Sequence, residues 1–326
     1  MGAFAELSGW TSEQKKVVLA SFLGWTLDAF DFFLFIFVLK DVAHDFGVPI
    51  ANVTFAILLT LAVRPIGAFL FGRAADRYGR RPTLMVDVLL YSVLEFASGF
   101  SPSLTVLLLL RTLFGVAMGG EWGVGASLTM ESIPPRARGI VSGILQAGYP
   151  TGYLIASAVY ALLFPIIGWR GMFMIGVLPA LLVLFIRRHV PESPSFQPKA
   201  AVRVSLGTTL KSHWRRAVYA IVLMTAFNFF SHGTQDLYPT YLQVQRHLST
   251  HAVGLIAIVY NIGAILGGIL CGTLSERIGR RRAILIAAIL SLPVVPLWAT
   301  SVNPVMIAAG AFLMQFMVQG ARGVIP

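Results

Sequence analysis

The stretch from Asn228 to Thr240 holds the residue types best suited to chemistry: Asn228, Ser231, His232, Thr234, Gln235, Asp236 and Thr240 stand among Phe229, Phe230 and Leu237. On a helix Asn228, His232, Asp236 and Thr240 recur every fourth residue and share one face, flanked by Ser231 and Gln235. Histidine changes charge near neutral pH, and a carboxylate one turn along can share its proton. The amides of Asn228 and Gln235 can donate hydrogen bonds to an anionic oxygen, and a protonated His232 would attract that anion. The surroundings are apolar enough for a bilayer core, where an ionisable group is costly unless it is paired or lines a wet cavity. A proton or substrate site is the functional reading; a structural His–Asp pair holding a helix contact is the alternative.

Other charges stand in equally apolar runs. Asp28 and Asp31, within Gly24 to Phe33, read either as a proton or substrate path or as partners of an intramembrane arginine such as Arg64 or Arg111. Arg64, Arg111 and Arg322 are permanent positive charges whose guanidinium could hold a carboxylate bidentately. Arg111 ranks first, with a structural pair to Glu121 or a first-helix Asp as the equal alternative. Glu95 is a further acid with no evident partner. Phe30, Phe32, Phe33, Phe35 and Phe37 cover every face of their helix and read as packing and lipid contact.

The elements that must position these residues follow from composition. Of 326 residues 56% are hydrophobic and 12% charged, and the mean hydropathy is +0.77, which defines an all-α integral membrane protein. About 20 residues of helix cross roughly 30 Å of hydrocarbon. Ten such runs are expected, at 17–39, 51–72, 82–100, 103–131, 138–163, 168–188, 214–243, 251–273, 281–300 and 303–326. They lack the strict alternation of a membrane barrel. Nineteen of the 25 Lys and Arg residues fall at the N-terminus or in even-numbered loops, so the positive-inside rule makes the N-terminus and central loop cytoplasmic. That alternation with membrane crossings excludes a nucleic-acid face as the meaning of the +11 net charge. The N-terminal 16 residues lack a cleavage pattern, so the first helix is expected to be retained rather than removed as a signal. Cys271 stands alone in a Gly-rich helix, which leaves no disulfide framework and suggests a buried, inert thiol.

An internal repeat organises the chain. Gly72-Arg-Ala-Ala-Asp-Arg-Tyr-Gly-Arg-Arg81 returns 200 residues later as Gly272-Thr-Leu-Ser-Glu-Arg-Ile-Gly-Arg-Arg281. Asp76 corresponds to Glu276, Arg77 to Arg277, Gly79 to Gly279 and Arg80 to Arg280. Each loop is a candidate ion-pair cluster that breaks and reforms as helices slide; pure topology signal is the alternative. At the same offset Asp28 stands opposite Asn228, Asp31 opposite Ser231, and Arg322 opposite Trp122. The expected domains are a six-helix bundle over 1–188, a cytoplasmic central loop over 189–213, and an incomplete four-helix bundle over 214–326. A site at mid-membrane between the halves follows from this arrangement.

The doubled Gly-x-x-x-Asp/Glu-Arg-x-Gly-Arg-Arg loop resembles that of the major facilitator superfamily. The resemblance implies two six-helix bundles rocking about a central site by alternating access. Arg111 to Glu121 is similar to the family's Arg-x-x-x-Gly-x-x-x-Gly stretch of proton-coupled members, although Gly115, Gly119 and Gly123 read first as close helix packing. Gly148-Tyr-Pro-Thr-Gly152 departs from the Gly-Pro pair of antiporters and favours symport.

Asn228-x-x-Ser-His-x-Thr-Gln-Asp-x-x-x-Thr240 resembles the seventh-helix motif of lactate and pyruvate permeases in the sialate:proton symporter family. That resemblance implies proton-coupled symport of a small monocarboxylate in a bacterial inner membrane, with Asn228, His232, Gln235 and Asp236 at the site. Sialic acid is the alternative cargo. Typical bacterial sialic acid transporters carry two extra helices in the central loop, which here is short and polar with Pro191, Pro194 and Pro198. Against the family pattern Pro326 corresponds to Ala126, so truncation after the tenth helix is expected, with the uncovered face left to lipid. An inactive homologue or sensor is the competing class. Enzyme motifs are absent: there is no His-Glu-x-x-His, no phosphate loop and no Gly-x-Ser-x-Gly. The expected partners are a small organic anion, a proton and the bilayer, with no cofactor or metal and a monomeric chain.

Overall fold

The computed structural model describes residues 10–135, 138–196 and 206–324, whose regular structure is entirely helical. Residues 1–9 and the 197–205 part of the expected central loop lie outside the described residues, as do the side chains of Glu276 and Arg277. The first helix, α1 (Ser12–Phe37), starts at a capping box: Gln14 N donates to Thr11 Oγ1 at 3.2 Å and Thr11 N to Gln14 Oε1 at 3.1 Å. Then come α2 (Leu39–Asp45), α3 (Ile50–Tyr78), α4 (Arg80–Ser98), α5 (Leu104–Ser132), α6 (Arg138–Ile175) and α7 (Ala180–His189). The second part holds α8 (Leu206–Gln235), α9 (Tyr238–Val244), α10 (Thr250–Ile278), α11 (Arg280–Ser291), α12 (Val295–Thr300) and α13 (Pro304–Gly323).

Among the described residues, eight helical stretches are long and apolar enough to cross a membrane, two fewer than the ten runs expected. The two that drop out are the third and sixth. The third run is α4, where Arg80, Arg81, Asp87 and Glu95 lower the hydropathy. The sixth run is divided: Trp169–Ile175 joins α6 through non-helical Gly168 (φ 61°, ψ −174°), and Gly176 to Pro179 form turns before α7. Pro179 lacks the N–H that would continue the ladder.

The 200-residue repeat is visible in backbone geometry. Helices α3 and α10 are each 29 residues long and begin 200 residues apart. Positive φ recurs at the same offset, at Gly47 (62°) and His247 (54°) and at Gly79 (104°) and Gly279 (89°). Helix α3 packs closely on α5 as α10 packs on α13. A Cβ at Gly67 would come within 2.8 Å of the Val116 carbonyl carbon, and one at Gly267 within 2.7 Å of the Phe316 carbonyl carbon. Both glycines therefore allow backbone-to-backbone approach, the means by which helices associate without a hydrophobic drive in lipid.

Helix α1 is enclosed by α5, α6 and α7, so Phe30, Phe32, Phe33, Phe35 and Phe37 are all buried, and none faces lipid. Its counterpart α8 meets α9 and α13 and leaves Trp214, Tyr219, Ile221 and Phe229 exposed. The two parts of the chain join where α6 meets α10. At the end away from the Arg-rich loops, Gln243 Nε2 on α9 donates to Tyr160 OH at 2.6 Å and to Phe37 O at 3.4 Å. Cys271, expected buried, is only partly so and faces Gly320 across the α10–α13 contact.

Candidate functional site

The polar stripe of α8 forms in part as expected. Asp236 N donates to His232 O at 3.0 Å, so helical geometry reaches Asp236. The side chains then pair, with His232 Nδ1 2.8 Å from Asp236 Oδ2. The helix does not continue to Thr240: α8 ends at Gln235 and α9 begins at Tyr238, because the ring of Pro239 cannot follow an unbroken ladder. Ser231, Gln235 and Asp236 are buried, whereas Asn228, one turn before His232, is exposed.

A second polar stripe faces the first. Gln315, Gln319 and Arg322 on α13 lie at i, i+4 and i+7. Gln315 Nε2 donates to Thr234 Oγ1 at 3.2 Å, and Gln319 Nε2 donates to Ser231 Oγ at 3.3 Å and Gln235 Oε1 at 3.2 Å. Arg322 Nη1 donates to Ser231 Oγ at 3.0 Å, with its guanidinium 5.3 Å from the Tyr149 ring centre. Tyr149 in turn presents an edge-on contact to His232 with centroids 6.3 Å apart. Among the described residues no carboxylate lies at ion-pair distance from Arg322, although Asp236 is within electrostatic reach.

Of these side chains Tyr149, Gln319 and Arg322 border a cleft between α6, α10 and α13, lined also by Gln146, Ile265 and Gly268. It holds about 410 Å³ of empty space, part of it open to solvent. Tyr149 OH, Gln235 Nε2 and Asp236 Oδ1 are buried without a hydrogen-bond partner. Donors, an acceptor and a fixed cation thus remain available at the α8–α13 contact, as an anionic ligand with a proton would require. The wall behind is aromatic: Tyr153 OH donates to Gln235 O at 3.2 Å, Tyr260 OH donates to Tyr153 OH, and Phe33 stacks on Tyr153 with centroids 3.5 Å apart.

The remaining charges separate by place. Arg111 is buried among Phe35, Phe114 and Phe173 and donates to Glu95 Oε2 and, at 3.0 Å, to Ser98 Oγ. Its partner is Glu95, neither Glu121 nor a first-helix Asp, and Arg322 rather than Arg111 borders the cleft. Arg64 lies 4.0 Å from Asp28 and 5.9 Å from the Trp25 ring centre, and Trp25 packs on Tyr149 at 5.4 Å. Asp31 is wholly buried and its carboxylate makes no hydrogen bond.

In the first Arg-rich loop, Gly72 opens no contact, Gly79 supplies the left-handed turn, and Arg80 Nη2 pairs with Asp76 and with Glu131, each at 3.2 Å. Arg77 lies over Tyr78. Glu192 Oε1 accepts from Arg80 N at 2.9 Å, which adds Glu131 and Glu192 to the expected cluster. In the second loop Gly279 repeats the turn between Gly272 and Arg280.

Gln315, Gln319, Tyr149 and Gln146 were not anticipated as site residues. For Gln315, Gln319 and Arg322 the signal was present, since their spacing is the same one-face pattern as Asn228, His232 and Asp236. For Tyr149 and Gln146 only the meeting of α6 with α13 reveals the role.

The sequence profile of the Major Facilitator Superfamily matches residues 21–324. The chain is 32% identical over 326 residues to a protein of Cupriavidus pinatubonensis described as "Probable 4-methylmuconolactone transporter", covering 97% of this chain and 76% of that one. It is 30% identical over 320 residues to the sialic acid transporter NanX of Escherichia coli, covering 96% and 78%. The xylose transporter XylE of Escherichia coli, in a partially occluded inward open conformation, superposes with a TM-score of 0.78 at 18% identity, covering 97% of this chain and 84% of that one.

Proposed function

The chain belongs to the major facilitator superfamily and is a secondary transporter of small organic substrates, not an enzyme; from that premise we propose that it performs proton-coupled symport of a small monocarboxylate of the lactate and pyruvate class. The observation that carries this reading is the His232–Asp236 pair beside Arg322, a titratable couple next to a fixed cation that has no carboxylate of its own among the described residues. The substrate carboxylate docks on Arg322, with Gln235 Nε2 as an added donor. The proton loads on the His232–Asp236 pair, and a protonated ring adds a second positive charge toward the anion. Only the site holding both ligands closes and reorients, since either alone leaves a buried charge unbalanced. Arg111, Asp28 and Asp31 act from the first bundle by holding its charge network, and the loops around Asp76 and Arg80 and around Gly279 and Arg280 gate the opposite end.

In this reading residues 1–188 and 214–326 are the two rocking units and 189–213 is the linker. The chain lies in the bacterial inner membrane as a monomer, with its N-terminus and linker cytoplasmic, as the placement of Lys and Arg supports. The test is uptake of radiolabelled L-lactate into proteoliposomes with and without an inward proton gradient. Gradient-driven accumulation supports the reading; equal uptake with and without the gradient refutes the coupling. The similarity to NanX favours sialic acid as a second candidate cargo, also a carboxylate, and the same vesicles decide between the two.

A further inference from the structure

The break between α8 and α9 leaves one backbone acceptor without its usual donor. In an unbroken helix the Gln235 carbonyl would take the N–H of residue 239. That residue is Pro239, which has no N–H and whose ring crowds the carbonyl four residues back. Buried backbone carbonyls are nearly always paired, because an unpaired one costs as much as a lost hydrogen bond. Here the donor comes from the other half of the chain: Tyr153 OH on α6 reaches Gln235 O at 3.2 Å.

That carbonyl belongs to the peptide joining Gln235 to Asp236. The N–H of the same peptide is bound within α8, Asp236 N donating to His232 O at 3.0 Å, whereas the C=O is bound across the halves. Tyr153 OH in turn accepts from Tyr260 OH on α10, so a chain of two hydroxyls ends on the carbonyl, and each bond polarises the next. The Tyr153 ring is held independently, stacked on Phe33 with centroids 3.5 Å apart and edge-on to Phe37 at 5.7 Å. Loss of the hydroxyl alone therefore leaves the ring in place.

On one side of Tyr153 the seam between α6 and α10 is shut. Ser157 is wholly buried, a Cβ on Gly254 would come within 2.5 Å of the Ala161 methyl, and Gln243 Nε2 donates to Tyr160 OH. On the other side lies the cleft, where a Cβ on Gly143 meets nothing within 4 Å. The hydroxyl stands where the sealed end gives way to the cleft.

We propose that Tyr153 is a positioning residue whose hydroxyl replaces the N–H that Pro239 lacks, and so ties the peptide between Gln235 and Asp236 to closure of the end away from the Arg-rich loops. When that end parts, water takes the carbonyl. Without the hydroxyl only the closed form is left with an unpaired carbonyl, so the balance moves toward opening at that end. The inference rests on two halves that move against each other and holds whatever acid is carried.

Maleimide labelling of the full chain in lipid nanodiscs tests it, in a Cys271→Ala background with one reporter, either Ser157→Cys in the shut seam or Gly143→Cys in the cleft. With opening fast relative to labelling, each rate follows the fraction open. One hydrogen bond corresponds to about a 2- to 10-fold change in that fraction. Tyr153→Phe should raise the rate at position 157 by that factor without raising it at position 143. In a Pro239→Ala chain, where residue 239 regains an N–H, the same Tyr153→Phe change should leave the rate at 157 as it was. Tyr260→Phe should act in the same direction as Tyr153→Phe, and it decides the matter if the latter does not fold. An unchanged rate at 157 overturns the proposal. Equal acceleration at 143, the mark of general loosening, or equal acceleration in the Pro239→Ala chain overturns it as well.

Discussion

Arg322 on α13 donates a hydrogen bond to Ser231 on α8 at 3.0 Å, which fixes a permanent positive charge one residue along the chain from His232. The contact joins two helices that are 91 residues apart in sequence at this pair. It also aims the guanidinium across the Tyr149 ring, so one arginine both ties α13 to α8 and borders the cleft.

Arg322→Gln therefore removes the anion's anchor. Hydrogen bonds to charged groups contribute about 1.5–3 kcal/mol, so KM for the transported acid should rise about 10- to 100-fold. Arg322→Lys keeps the charge without the planar fork and should fall between. Initial-rate uptake in proteoliposomes measures both, and an unchanged KM in the Gln variant removes Arg322 from the substrate site.

Asp236→Asn separates proton coupling from substrate binding. The amide still fits beside His232 but cannot share a proton with it. Gradient-driven accumulation should be lost while exchange of labelled for unlabelled acid at equal pH persists. Retention of full pH-driven uptake would assign coupling elsewhere.

Arg111 and Glu95 are predicted to act on stability. Removing one member of a buried pair costs about 3–5 kcal/mol because the other charge is stranded. Arg111→Met should lower the thermal midpoint in detergent strongly, and adding Glu95→Gln should recover much of the loss. A normal midpoint together with a raised KM would instead make Arg111 a substrate contact.

The glycines of α5 divide by what they face. A Cβ at Gly115 would lie 2.7 Å from Thr60 Cα on α3, whereas one at Gly123 meets nothing within 4 Å. Gly115→Val should abolish folded expression, since backbone cannot yield as a flexible side chain does. Gly123→Ala should leave expression and uptake near wild type. Size-exclusion profiles of the two variants give the comparison.

Much of this architecture was legible in the residues. Hydropathy identifies the helices because burial in lipid forces backbone groups to pair within each segment. The repeat was legible because its glycines meet a backbone requirement: the positive φ at Gly79 and Gly279 is a local property that recurs wherever the local sequence does. The His232–Asp236 pair was legible for the same reason, being one helical turn and needing no other element.

What only the tertiary structure decided is which groups meet across helices. Arg111 could have paired with several acids by sequence, and the packing of α4 on α5 selects Glu95. The repeat offset sets Arg322 opposite Trp122, a residue of different chemistry, and only the packing of α13 against α8 shows that it faces Ser231 and Tyr149. The break at Asp236–Leu237 sets Thr240 on a separate helix, although its spacing from His232 suits an unbroken one. The sequence by itself determined the local geometry and which residues share a helix face, because both depend on neighbours along the chain. The partners of each buried charge depend on neighbours in space, because a charge taken out of water is stabilised by whatever group the packing of another helix brings within a few ångströms.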